Sequence, residues 1–357
     1  MKRKINYVAI ALILASILAL QIQPTFAKNP NKTYVPKDLG TLPGGTYAIA
    51  CDINNRGDIV GAGNDENLKY SYFLLPHNEA MVDLNIRPYS TFIKINERGE
   101  IAGTYLDTTN NPNGYPTAFR WTEKDGMQDL GTLPGGKWSF AMDINDNGEI
   151  VGYSDRQTGY FHGFVWSEKT GMTDIGALSD PGVSFAMAIN NKGQVVGMGR
   201  LSGMYQPMIL WTEQEGLEMI GTFPGENYAS PVAINEQGQA VGSAADGSTF
   251  SAFMYSNKIG FLRIGDLPGG DKSTAVGINN NGIVVGYSFF SDSSNPDKKV
   301  QGFIWTDKEG LSPLQSLSSD TTNLALAINE PGQIVGWSSH SNADGTVKTH
   351  AVIWELE

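Results

Sequence analysis

The stretch Asp143-Ile144-Asn145-Asp146-Asn147-Gly148 carries the Asp-x-Asn-x-Asn-Gly opening of a calcium loop, in which alternate side-chain oxygens converge on one ion. Such a loop needs an acidic ligand further on, yet its ninth and twelfth positions are Val151 and Ser154. The competing reading is a tight turn. Other chemistry-bearing residues are sparse. The four histidines, His77, His162, His340 and His350, follow no metal-ligand spacing. The single cysteine, Cys51, lies within an apolar run and reads as a packed side chain, and no Gly-x-Ser-x-Gly elbow offers a nucleophile. Carboxylates in candidate loops (Asp65, Glu66, Asp107, Asp155, Asp246, Asp292) would serve a carbohydrate-active enzyme only if the fold brought two of them together across a sugar bond. No metal, cofactor or catalytic residue is expected from these signals.

The elements that must position these groups repeat. Ile-Asn, with Gly three residues after the Asn, occurs seven times, at Asn54, Asn96, Asn145, Asn190, Asn235, Asn279 and Asn329, spaced by 42 to 50 residues. Turn segments such as Asp38-Leu-Gly-Thr-Leu-Pro-Gly-Gly and its copy at Asp129 precede most of them. Ile-Val-Gly-like and then aromatic segments follow, among them Gly163-Phe-Val-Trp and Gly302-Phe-Ile-Trp. Four short strands per unit of some 45 residues match one blade of a β-propeller. The expected fold is therefore an all-β, seven-bladed propeller over 34–357. The last unit stops after its third strand at Ala351–Trp354, while a spare fourth strand stands at Tyr34–Gly40. Pairing the two would close the ring and remove free sheet edges.

Within each unit the Asn and Gly fit positions i and i+3 of a turn with a glycine bulge, joining strands one and two. The Pro-Gly pairs at Pro43, Pro134, Pro224 and Pro268 fit type II turns that carry the chain to the next blade. The third-strand residues Trp121, Trp166, Trp211, Tyr255, Trp305 and Trp354, with Leu75 in the first unit, fit packing between twisted sheets.

These motifs resemble the HAF-repeat family of predicted extracellular repeat proteins. The match runs from about Asp38 to Trp354, and no unit keeps His-Ala-Phe intact: His350-Ala351-Val352 and His162-Gly163-Phe164 come nearest. The resemblance implies export and repeat architecture and brings no established activity.

Export is also expected from the leader. Lys2, Arg3 and Lys4 precede a thirteen-residue apolar run, Val8–Leu20, and small residues up to Ala27, the form of a cleaved signal peptide over 1–27, followed by a linker, 28–33. Cleavage moves the formal charge from −12 to −15, with 22 Lys plus Arg against 37 Asp plus Glu. That balance argues against nucleic acid and anionic membrane surfaces as partners. The mature chain is expected to be a monomer in the periplasm or outside the cell, with no membrane contact.

Strand order places the variable loops, Leu106–Thr117, Phe289–Val300 and Ser339–His350, on one face with the Pro-Gly crossings. Seven residues before each turn asparagine, Tyr47, Tyr89, Trp138 and Tyr228 occupy four of seven positions on that face. With Tyr115 and Tyr160 they are candidates for a stacking surface that takes a glycan or a protein segment. Their parity with the recurrent Ile gives the opposite reading, rings buried between blades. The leading functional expectation is a non-catalytic binding or scaffold module; the alternative is a glycoside hydrolase or lyase built on loop carboxylates.

Overall fold

The computed structural model describes residues 33–108, 114–201, 205–245, 249–291, 300–342 and 345–357. The expected leader and all of the expected linker but Thr33 lie outside them. Thr33, just before the closing strand, exchanges backbone hydrogen bonds with Glu357, 2.9 and 3.0 Å.

Seven four-stranded antiparallel sheets form a ring, a seven-bladed β-propeller. Blades 1 to 6 begin with the strands Ala48–Ile53, Pro88–Ile95, Ser139–Ile144, Val183–Ile189, Tyr228–Ile234 and Lys272–Ile278, and each runs in chain order from the channel outward. Blade 7 (Thr322–Ile328, Ile334–Ser341, Val347–Leu356) takes its outer strand from Tyr34–Asp38, with Tyr34 opposite Leu356 and Asp38 opposite Val352. Lys37 reinforces the seam through Glu355 at 2.9 Å and Glu357 at 3.0 Å.

Two belts at the one-to-two turns join the blades. Each turn asparagine accepts backbone bonds from its own turn: Asn145 Oδ1 takes the Asn147 and Glu149 N–H groups, and its carbonyl takes Gly148 N–H, with Gly148 at φ +80°. Its Nδ2 donates to the carbonyl of the next blade's turn asparagine, from Asn54 to Asn96 through all seven units and back from Asn329 to Asn54, at 3.0 to 3.3 Å. The residue after it completes a second belt. The backbone N–H groups of Asn55, Glu97, Asp146, Asn191, Glu236, Asn280 and Glu330 each donate to the corresponding side-chain oxygen in the next blade. This is why only Asn, Asp or Glu follows the asparagine: the position needs an acceptor on a short or medium stem.

A one-residue bulge interrupts six of the seven first strands, at Cys51, Met142, Met187, Val232, Val276 and Leu326; blade 2 is irregular over a longer stretch. The bulge explains the recurrent glycine of strand two. A Cβ at Gly152 would run into the Phe140 carbonyl oxygen and the Phe164 ring. Phe73, Phe119, Phe164, Phe253 and Phe303 lie opposite these glycines and are fully buried. The third-strand aromatics are buried (Trp166, Trp305, Trp354) or half-buried (Trp121, Trp211, Tyr255), as expected of packing rings. Pro-Gly crossings adopt the expected turns, with Gly44, Gly135, Gly225 and Gly269 at φ +71° to +86°.

Candidate functional site

The face carrying the crossings and two-to-three loops is the one that differs among blades. The Ser339–His350 segment is less of a loop than expected. It is mostly an extended hairpin, with Ser341 opposite Val347, because Val347-Lys-Thr-His continues the outer alternation of the strand. Leu106–Thr117 and Phe289–Val300 lie partly outside the described residues.

The six stacking candidates separate. Tyr89, Trp138 and Tyr160 are 41 to 49% exposed, and Tyr47, Tyr115 and Tyr228 are half-buried. Burial by parity with the recurrent Ile does not hold, because the bulge lies between the two positions. In blade 3, Ala141 pairs with Gly152 and Asp143 with Val151, so the residue three before Ile144, not six, shares its face. A bulge leaves no mark on the composition of a strand, which is why alternation misplaced the rings.

Tyr47 and Tyr89 come together, with residues the repeat pattern did not select. They line a hollow of about 670 Å³ between blades 1 and 2, with Leu68, Lys69, Tyr70, Arg87, Pro88, Ser90 and Thr91. Tyr70, half exposed, meets the Tyr47 ring edge-on at 5.6 Å. Local geometry builds each wall. Asp65 Oδ1 accepts the Asn67 and Lys69 N–H groups, folding a tight turn that pushes Leu68 outward at φ +60°. Asn64 Oδ1 holds Tyr47 N–H at 2.7 Å. On the other wall the register slips from Pro88–Tyr105 to Ile93–Gly103, so Tyr89 through Phe92 arch away from the sheet. Tyr72, fully buried beneath, places its hydroxyl 2.6 Å from the Ser90 carbonyl and 2.8 Å from that of Thr104, pinning the arch. Burial pushes the Tyr47 and Tyr72 hydroxyls above the usual phenol range, so both stay protonated well above neutral pH. Lys69 Nζ reaches Asn85 Oδ1 at 2.7 Å, so cationic and amide groups rim an aromatic floor.

A second ring cluster spans blades 2 to 4, reaching Phe185 through Tyr153 at 5.0 Å, and adjoins the hollow where Tyr89 lies edge-on to Phe140 at 5.6 Å. Trp138 stacks on Phe161 at 6.0 Å and lies 6.4 Å from Tyr115, and Phe140 stacks on Tyr153 at 4.7 Å. Tyr228 joins neither group; its backbone bridges to Gln206 of the preceding blade. Tyr160 stands exposed directly before the strand Phe161–Ser167.

The Asp-x-Asn-x-Asn-Gly stretch is a hairpin. Asp143 faces the channel, where its carboxylate accepts the Ile144 and Ile189 N–H groups at 3.0 and 2.9 Å, while Asn145 closes the turn and Asn147 Nδ2 reaches the Asn191 carbonyl. Burial raises the Asp143 carboxyl to about 6 despite the nearby Lys94. Burial works against the charge of Lys94, but Asp52 at 3.4 Å and Asp143 outweigh it and hold its pKa above the usual range. This channel end encloses about 220 Å³, with the second belt around it. Of the loop acids, Asp65 and Asp155 cap backbone turns, the latter at Lys137 and Trp138 N–H, and Glu66 is exposed. Asp246 and Asp292 lie outside the described residues, as does the Asp107 side chain. Cys51 is the buried bulge residue of blade 1, its thiol pushed up to about 12 by burial.

Sequence spacing hid one cluster. Asp320, His340 and His350, from three segments of blade 7 and its crossing, each place a possible ligand atom within 4.8 Å of the others. The other histidine of this kind, His162, bonds Asp174 at 2.8 Å as His350 bonds Asp38 at 3.0 Å. Each of these aspartates also accepts an N–H from the glycine two residues on, so the pair ties strand three to the crossing.

No protein-family model matches the chain, and no curated protein matches it. Solved structures do. An oligogalacturonate lyase from Vibrio parahaemolyticus superposes with a TM-score of 0.59 at 13% identity, over 90% of this chain and 96% of that one. Virginiamycin B lyase from Staphylococcus aureus gives 0.55 at 9% identity, over 91% and 99%. An oligogalacturonate lyase in complex with manganese gives 0.55 at 13%, over 92% and 97%. At these identities the likeness is one of fold.

Proposed function

We propose that this propeller is an exported, non-catalytic binding module of the HAF-repeat type, and that the hollow between blades 1 and 2 takes a segment of carbohydrate chain. The leader, with its basic start and Val8–Leu20 apolar run, supports export. One observation carries the binding reading: Tyr47, Tyr70 and Tyr89 surround a hollow of about 670 Å³ rimmed by Lys69 and Arg87. Aromatic faces stack on the apolar faces of sugar rings, while rim donors suit hydroxyl or carboxylate oxygens. The binding face is rigid under the ligand, because Tyr72 pins the arch that presents Tyr89.

The enzyme alternative draws on the lyases among the similar structures, but shared fold at 9 to 13% identity carries no chemistry with it. Two of the six loop acids it could draw on, Asp65 and Asp155, cap backbone turns through Oδ1.

A glycan array with the mature protein tests the reading. Binding of a glycan that falls at least tenfold in a Tyr70→Ala/Tyr89→Ala variant, and is unchanged in Trp138→Ala, supports the hollow. Both tyrosines are about half exposed, so the double variant should fold. Loss confined to Trp138→Ala moves the site to the blade 2–4 cluster, absence of any hit overturns carbohydrate recognition, and turnover of a bound glycan overturns the non-catalytic assignment.

A further inference from the structure

Blade 7 departs from its sister blades at one place, and the departures coincide in space. Asp320 occupies the crossing position held by Gly45, Gly136 and Gly270 in the Pro-Gly-Gly copies. His340 stands where blade 3 has Arg156, and His350 with Asp38 repeats the His162–Asp174 pair. In blade 3 the Arg156 guanidinium lies 3.3 Å from Asp174, so the protein supplies its own cation. Blade 7 has lost that arginine and gained a second carboxylate. The Asp320 side chain is fully buried, its Oδ1 lies 2.6 Å from His340 Nδ1 and 3.2 Å from Ser319 Oγ, and its Oδ2 has no hydrogen-bond partner. A buried carboxylate oxygen without a donor is costly, and this site lacks the guanidinium that blade 3 supplies.

We infer that Asp320, His340 and His350 form a binding site for a divalent first-row transition-metal ion, zinc being the natural probe. Ligand atoms within 4.8 Å of one another can close on an ion with bonds of about 2.0–2.2 Å through side-chain adjustment. Two imidazoles with one carboxylate favour zinc and its neighbours over calcium or magnesium, which prefer oxygen. The two rings already lie nearly parallel, 6.2 Å apart at 21°. Asp38 Oδ2 holds His350 Nδ1, which leaves Nε2 to the ion, the carboxylate–imidazole–metal arrangement that fixes the ring and raises its basicity. Three protein ligands leave a tetrahedral ion one open position, and the partly exposed imidazoles place it toward solvent on the loop-rich face. Because Asp38 lies in the closing strand and Asp320 in the crossing from blade 6, a bound ion also ties the ring seam to the neighbouring blade.

The test is zinc titration of untagged mature protein, stripped with chelator, by calorimetry and thermal unfolding. One ion per chain with micromolar or tighter affinity is expected, accompanied by a rise in Tm. His340→Ala and Asp320→Asn should each weaken binding at least 100-fold, and Asp38→Asn about 10- to 100-fold. His162→Ala, at the matching position of blade 3, should leave it unchanged. His340→Gln, which keeps a polar side chain of similar size, replaces His340→Ala should that variant not fold. No binding by the wild-type protein up to 1 mM zinc overturns the inference. So do affinities that survive loss of His340, and tighter binding of calcium than of zinc.

Discussion

Asp143 shows how one residue of a repeated position acquires its own chemistry. Its counterparts are Asp52, Lys94, Ala188, Ala233, Gly277 and Ala327, so charge is confined to three adjacent blades of the channel wall. Burial raises its carboxyl to about 6, above the ordinary 3.8, so the folded state binds the proton more tightly than the unfolded chain. The sign follows: this group's contribution to stability is lost as pH climbs from about 4 to about 6, and the cost is complete above that. Asp143→Asn should therefore gain on the wild type by about 2 kcal/mol more at pH 7.5 than at pH 4, a figure discounted for water at the channel end. Denaturant unfolding of both proteins at the two pH values measures it. An equal difference at both would show that Asp143 is not strained by its charge.

At the scale of the element, the hairpin joining strands one and two does two jobs. Asn235 closes its own turn through Oδ1, which accepts the Gln237 and Gln239 N–H groups, and reaches Asn279 of the next blade through Nδ2. It is 4% exposed, so the bonds are made away from water. Asn235→Ala removes all of them and leaves backbone groups short of partners; a loss of about 2–4 kcal/mol is expected by chemical denaturation. Asn235→Asp keeps the two turn bonds and loses both Nδ2 bonds, to the Asn279 carbonyl and to Gln239 Oε1, so comparing the two variants separates the turn from the Nδ2 contacts. The histidine–aspartate pairs act on the same scale at the opposite face. They explain why a histidine kept in only two blades, as His162 and His350, tracks aspartates that also cap the crossing.

For the molecule as a whole, the seam in blade 7 decides whether the ring has ends. Tyr34–Asp38 covers the outer edge of Val347–Leu356, and both belts pass between blade 7 and blade 1 through Asn329–Asn54 and Glu330–Asn55. A chain beginning at Leu39 would keep the belts and expose a strand of ten residues along its backbone edge. Its Tm is expected to fall by 10 °C or more in calorimetry, with concentration-dependent association in sedimentation. A truncated chain that stays monomeric with unchanged Tm would show that the belts alone close the ring.

The sequence by itself determined the blade count, the strand order and the seam. Blade count and strand order rest on signals local to one unit, an Asn and a Gly three apart or an aromatic third strand, and seven copies make a weak local signal strong, while the seam follows from the spare strand before the first unit and the last unit that stops after its third. It also separated the turn reading of Asp143–Gly148 from the calcium reading, since turn chemistry is set by neighbours along the chain. Tertiary structure alone decided where the side chains of different units meet. Tyr70 joins Tyr47 and Tyr89 because a bulge turned one strand over and an arch displaced another. Asp320, His340 and His350 converge because the crossing from blade 6 lands beside a hairpin of blade 7. Spacing along a chain reports neighbours within an element, whereas these groups are adjacent only once separate sheets have twisted and packed.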